Sequence, residues 1–126
     1  MARDIDFEGI KGGSYVTFKS ALVKATDEDK LVKVSANGTV ALCVEDDKFH
    51  GIVRIIDGQD KAASIQEDGY TTMSFDPAHD DPALGYDGLV CGVTPNLVKQ
   101  VDNAAGVTLY KIVSVNSAGH TVTFKL

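Results

Sequence analysis

Apolar and polar residues alternate along much of this chain. In "HTVTFKL", Val122, Phe124 and Leu126 alternate with Thr121, Thr123 and Lys125. In "TVALCV", Val40, Leu42 and Val44 alternate with Ala41 and Cys43. In "VTLYKIVSV", Val107, Leu109, Val113 and Val115 fall on one face, with Lys111 the single exception, and in "SYVTFKS" Val16 and Phe18 share a face. A period of two sends successive side chains to opposite faces, so each run predicts a half-buried β-strand. Valine and threonine recur in these runs, as expected where branched side chains crowd a pleated surface.

Turn signals separate the runs. Asn37-Gly38 stands between "LVKV" and "TVALCV", and Asn-Gly tolerates positive φ at both central positions of a type I′ hairpin turn. Asp-Gly repeats the logic in "IDGQ", "EDGY" and "YDGL", and "SAGH" closes the last hairpin. The one helical candidate, "KSALVKATDEDKL", lacks a clean 3.6 spacing and supports at most a turn of helix over residues 20–25. "SFDPAHDDPALGYDGL" carries two of the three prolines without alternation and reads as the longest loop. Residues 1–13 end in "KGG" and read as an N-terminal arm, leaving 14–126 as a single domain. "VTFK" occurs at 16–19 and again at 122–125, but four residues of strand composition carry no repeat. The fold expected is all-β: a small antiparallel barrel or sandwich of roughly eight to ten short strands, with an extended N-terminal arm.

Composition narrows the function. A chain of 126 residues suits one domain with a real core. The net charge of -6 opposes binding to nucleic acid. No stretch approaches the ~20 apolar residues that span a bilayer, so no membrane partner is expected. The start, "MARDIDFEGI", is acidic at once and has no apolar h-region, so it does not read as a signal peptide. Synthesis in a cytosol is expected, with Cys43 and Cys91 reduced unless the fold brings them together.

Candidate chemistry is sparse. His50 has Asp46 and Asp47 close in sequence but no serine or cysteine in a recognisable nucleophile elbow, so it reads as a polar residue at a strand entrance. "DPAHDDP" gathers Asp76, His79, Asp80 and Asp81, yet lacks the spacing of an EF-hand and the distant His pair of a zinc site. It reads as a solvated acidic loop. Asn37–Thr39 matches a glycosylation acceptor, but the hairpin accounts for it. The cysteines show no C-x-x-C spacing and read as small buried side chains. No phosphate-binding or nucleophile motif occurs, so no catalytic residue, metal or cofactor is expected. The stretch from Val40 to Tyr70 is thus read as strands and turns, "GIVRII" being a buried strand that Gly51 lets approach another backbone.

The order of these pieces resembles the capsid decoration proteins of tailed bacteriophages and prophages, also called head-stabilising or structural cement proteins. The pieces are "VKVSANGTVALC", then "FHGIVRI", "ASIQEDGY", "GYDGLV" and the closing "YKIVSVNSAGHTVTFKL", so the likeness covers most of 32–126. The acidic "DPAHDDP" loop departs from the family pattern. The resemblance implies no catalysis and no cofactor. It implies synthesis in a bacterial cytoplasm, a place on the outside of the virion, and the major capsid protein as partner. Homotrimers are common among similar proteins, and self-association is an option the sequence leaves open. Ile5, Phe7 and Ile10 of the arm become candidate apolar anchors for the capsid, against an alternative as a free tail or edge strand. The rival reading is a small β-barrel module for carbohydrate or another ligand, which would need an exposed aromatic platform from Tyr70, Tyr86 and Tyr110.

Overall fold

Ten strands and one turn of helix follow one another in the computed structural model, which describes residues 15–57, 59, 61–102 and 106–126. The strands are β1 (Tyr15–Ser20), β2 (Leu31–Ala36), β3 (Thr39–Leu42), β4 (Gly51–Ile56), β5 (Ala62–Gln66), β6 (Tyr70–Phe75), β7 (Gly85–Cys91), β8 (Leu97–Val101), β9 (Leu109–Asn116) and β10 (Thr121–Lys125), with α1 (Lys24–Asp27) between the first two. The expected arm, residues 1–13 with Ile5, Phe7 and Ile10, lies outside the described residues.

The all-β expectation holds, and the barrel is present twice. One closed five-stranded barrel has the order β1-β3-β2-β4-β5, the other β6-β8-β7-β9-β10. Each is antiparallel except for one parallel pair, β1 with β3 and β6 with β8. Each closes by pairing its first strand antiparallel with its last. In each, the last two strands slip register at a bulge, at Val53/Ile55 in the first barrel and Thr123/Phe124 in the second. The halves are therefore the same topology run twice. The "VTFK" echo is unrelated to this repeat: it falls on β1 and β10, which occupy different places in their barrels.

Alternation explains how the barrels join. In the first barrel Val32 and Val53 point inward, to a core with Leu22, Val40, Ile56, Ala63 and Ile65. Their neighbours Leu31 and Ile52 point the opposite way, into the core of the second barrel. There they meet Phe75, Leu89, Val98, Ile112, Val122 and Phe124, together with Cys43 and Phe49 from the connection between β3 and β4. Strands buried on both faces read as continuous apolar runs, the character of "GIVRII". Backbone bonds seal the junction: Leu31 N donates to Pro95 O at 2.7 Å, Asp46 N to Cys91 O at 3.0 Å, and Cys91 N to Asp47 O at 2.9 Å.

Several local expectations change. "YDGL" is not a turn: Asp87 and Gly88 lie inside β7. A Cβ at Gly88 would stand 2.5 Å from Val107 Cγ1 and 2.8 Å from Val101 O, so this glycine serves close approach. At the Asn37-Gly38 turn Gly38 has φ +63°, while Asn37 is not in the positive region, so the turn is not type I′. In β9 the predicted apolar face is replaced by Tyr110, Ile112 and Val115, because the bulge shifts the alternation by one residue. Lys111 is accordingly exposed rather than an exception, and Leu109 faces solvent too. β3 ends at Leu42, so Cys43 turns into the core and Val44 outward. The helical turn begins four residues and ends two residues later than expected, where the Asp27 carboxylate accepts a 2.8 Å bond from Val23 N. The long loop is residues 76–84, since "GYDGL" belongs to β7.

Candidate functional site

Three features could carry function: a cleft between the barrels, an acidic group beside a buried lysine, and an exposed apolar strip. The cleft encloses about 740 Å³ and takes Tyr15, Asp29, Arg54 and Ile55 from the first barrel and Thr72, Met73, Ser74 and Asn96 from the second. Arg54 dominates it. Its Nε donates to Gln66 Oε1 at 2.8 Å, its Nη1 to Asp29 Oδ1 at 2.9 Å and its Nη2 to Thr71 Oγ1 at 2.8 Å. Gln66 is fully buried, and its Nε2 is held by Asp68 O at 2.9 Å. A guanidinium spent on three protein acceptors fixes the two barrels against each other rather than waiting for a ligand. Tyr15, the first described residue, lines the cleft.

The second feature regroups the acidic loop. Ligand atoms of Asp76 and His79 come within 4.8 Å of Glu45, not of Asp80 or Asp81. Asp76 Oδ1 already accepts from Ala78 N at 2.9 Å. Lys99, buried on β8, reaches Glu45 at 3.3 Å and is paired more closely with Asp46. Those partners, Asp46 first, raise its pKa above the ordinary 10.5. The local negative charge is thus met by an ammonium of the chain itself.

His50 is paired with Glu67, and its ring lies edge-on to Phe18 at 5.5 Å. Neither Asp46 nor Asp47 serves it: Asp47 instead takes Lys33 Nζ at 2.7 Å and Val44 N at 2.9 Å. This arrangement positions a strand entrance, and among the described residues no hydrogen bond joins a nucleophile to the imidazole. Of the three tyrosines proposed as a platform, Tyr110 stacks on Phe49 at 4.9 Å and is taken up by the core. Tyr86 is 68% exposed and comes from the opposite face of the β7–β9 pair, because Asp87 is the residue that pairs with Tyr110, although both rings line one shallow depression. Tyr70 opens β6, half-buried and paired with Lys125, outside the residues lining that depression.

The third feature is a strip on the second barrel. Leu84 is 69% exposed, and β7–β9 pairing sets Tyr86 across from Lys111 and Gly88 across from Leu109. Tyr86, Leu109 and Lys111 therefore share one outer face, and Lys125 and Leu126 line the shallow depression beside them. Sequence reasoning gave no role to Leu84, Arg54 and Lys99, and it assigned Leu109 to a half-buried face rather than to this exposed one. Arg54 and Lys99 carried a usable signal, since each is a single charge inside an apolar strand run.

Paired carboxylates set the acid response. Lys33 followed by Val44 N lowers the Asp47 pKa below 3.8, Lys125 followed by Gly69 N lowers Asp68, and Lys61 N lowers Asp57. A carboxylate whose folded pKa is depressed contributes stability that is complete above its unfolded value and lost as pH falls through the folded one. The melting temperature is expected to hold from neutrality to about pH 4.5 and fall below it. Asp47→Asn should flatten that fall; an acid limb identical to the parent's would count against the assignment.

These features define a class: an all-β protein of two like five-stranded barrels, the first of which inserts side chains into the core of the second, with pinned ion pairs and exposed apolar side chains. Against protein-family models the chain has no match, and no curated protein matches it.

Proposed function

We propose that the protein is a capsid decoration protein of a tailed bacteriophage or prophage, made in the bacterial cytoplasm and placed on the outer surface of the assembled head. It binds the major capsid protein, bridges neighbouring capsomers and performs no reaction. The observation that carries this reading is the exposed strip of Tyr86 and Leu109 on one outer face of the β7–β9 pair, with Leu84 exposed just before β7. Clustered exposed apolar side chains mark protein-contact surfaces. The resemblance in glycine placement and alternation points to the capsid as the partner. A lattice repeats the same site many times, so a modest contact per copy is enough if copies also associate, for instance as a homotrimer. Ile5, Phe7 and Ile10 would add anchors that order on binding.

The test is co-sedimentation with undecorated heads. The full chain should pellet with them, and Tyr86→Ser with Leu109→Ser should weaken binding about tenfold or more while the melting temperature stays within a few degrees. Removal of residues 1–13 should weaken it independently. A full chain that stays in the supernatant overturns the proposal, and unchanged binding by the double variant overturns the role of the strip.

A further inference from the structure

Two buried thiols from distant parts of the chain meet where the barrels join. Cys43 follows β3 of the first barrel and is 2% exposed; Cys91 ends β7 of the second and is fully buried. Both belong to one apolar cluster. The backbone bonds of Asp46 and Asp47 to Cys91 clamp the two segments side by side. Cys91 Sγ donates to Thr94 O at 3.8 Å, and the two thiols are close enough that each shifts the other's pKa. Val44, next to Cys43, is 61% exposed, and Val93, two positions past Cys91, is 60% exposed, so the chain leaves the core within two residues of each thiol.

We infer that Cys43 and Cys91 form a reversible disulfide that latches the first barrel to the second when the protein meets a peroxide. The chemistry balances with hydrogen peroxide as the oxidant. The Cys91 thiolate attacks one peroxide oxygen, the O–O bond breaks, and Cys91 becomes a sulfenic acid with hydroxide released. The Cys43 sulfur then attacks the Cys91 sulfur, the S–O bond breaks, and water leaves with the Cys43 proton. Overall, two thiols and one peroxide give one disulfide and two waters. The interaction with Cys91, and then burial, push the Cys43 pKa up, while Cys43 pulls Cys91 down against its burial; on losing its proton Cys91 gives up its bond to Thr94 O. The sulfur with more thiolate character attacks first.

The latch closes a loop that contains β4, β5, β6 and β7 up to Cys91, so it removes freedom from the unfolded chain. The experiment treats the full chain with millimolar hydrogen peroxide, then counts thiols with a maleimide mass tag in denaturant and maps peptides without reduction. Expected are loss of both thiols, a 43–91 cross-linked peptide within one chain, reversal by dithiothreitol, and a melting temperature raised on the order of 10 °C. Cys43→Ala and Cys91→Ala should each abolish the cross-link, and the peptide map of the unaltered chain decides the matter even if a variant folds poorly. Thiols that survive, sulfinic acids without a cross-link, cross-links only between chains, or a disulfide forming equally fast in urea overturn the inference. A disulfide that leaves the melting temperature unchanged or lower overturns the latch.

Discussion

Phe49→Ala is expected to remove about 3–5 kcal/mol of stability, a large part of the whole margin of a small protein. Phe49 sits in the connection between β3 and β4, a segment that otherwise looks solvated, yet only 6% of it is exposed. Its ring stacks on Tyr110 at 4.9 Å and meets the edge of Phe124 at 6.0 Å. It is thus a plug that the first half of the chain inserts into the core of the second barrel. Truncation loses the apolar burial, leaves a cavity and unstacks Tyr110. Thermal melting should show a fall on the order of 10 °C or more. A second readout separates this plug from a general loss of packing. Burial pushes the Tyr110 phenol up to about 12, and opening the space beside it should bring that value down toward 10 in an absorbance titration. Phe49→Leu, which keeps most of the apolar volume, should cost about 1–2 kcal/mol. A Phe49→Ala protein that melts within a few degrees of the parent, with Tyr110 still titrating near 12, would show that the ring fills no essential space.

Strand content was legible because period two is a local property. Val122, Phe124 and Leu126 turn to the core as their alternation required. Asn37-Gly38 and "SAGH" do close hairpins, although His120 rather than Gly119 takes the positive φ in the second. Phase was the weak point. One extra residue in β9 moves every later side chain to the other face, and no residue in "YKIVSV" announces it. Asp-Gly in "YDGL" misled for a related reason: glycine signals a turn or a close approach equally well, and only the neighbours Val101 and Val107 decide. The doubled barrel was hidden because equivalence lies in strand order and pairing, which local patterns do not encode. The same holds for the candidate sites. Glu45 joins Asp76 and His79, and Cys43 meets Cys91, only after folding carries separate segments together.

Gly51→Ala is expected to cost about 3 kcal/mol or more, the larger of two glycine effects with opposite causes. Gly51 opens β4 opposite Val32, and its backbone is not in the positive-φ region. A Cβ there would fall 2.3 Å from Gln66 O and 2.8 Å from Ile65 Cγ2. Neither neighbour can withdraw cheaply. Ile65 is fully buried, and Gln66 is held through its own side chain by Arg54 and Asp68. Accommodating the methyl group means parting β4 from β5, and β5 closes the first barrel against β1. Gly38 is the reverse case: nothing lies within 4 Å of a Cβ there, but φ is +63°. Its substitution by alanine should cost about 1 kcal/mol, from backbone conformation alone. Asparagine distinguishes the two causes, because it tolerates the left-handed region but is larger than alanine. Gly38→Asn should be milder than Gly38→Ala, whereas Gly51→Asn should be worse than Gly51→Ala. Chemical denaturation of the four variants reads both comparisons, and the same rank order at the two positions would refute the division between space at Gly51 and conformation at Gly38.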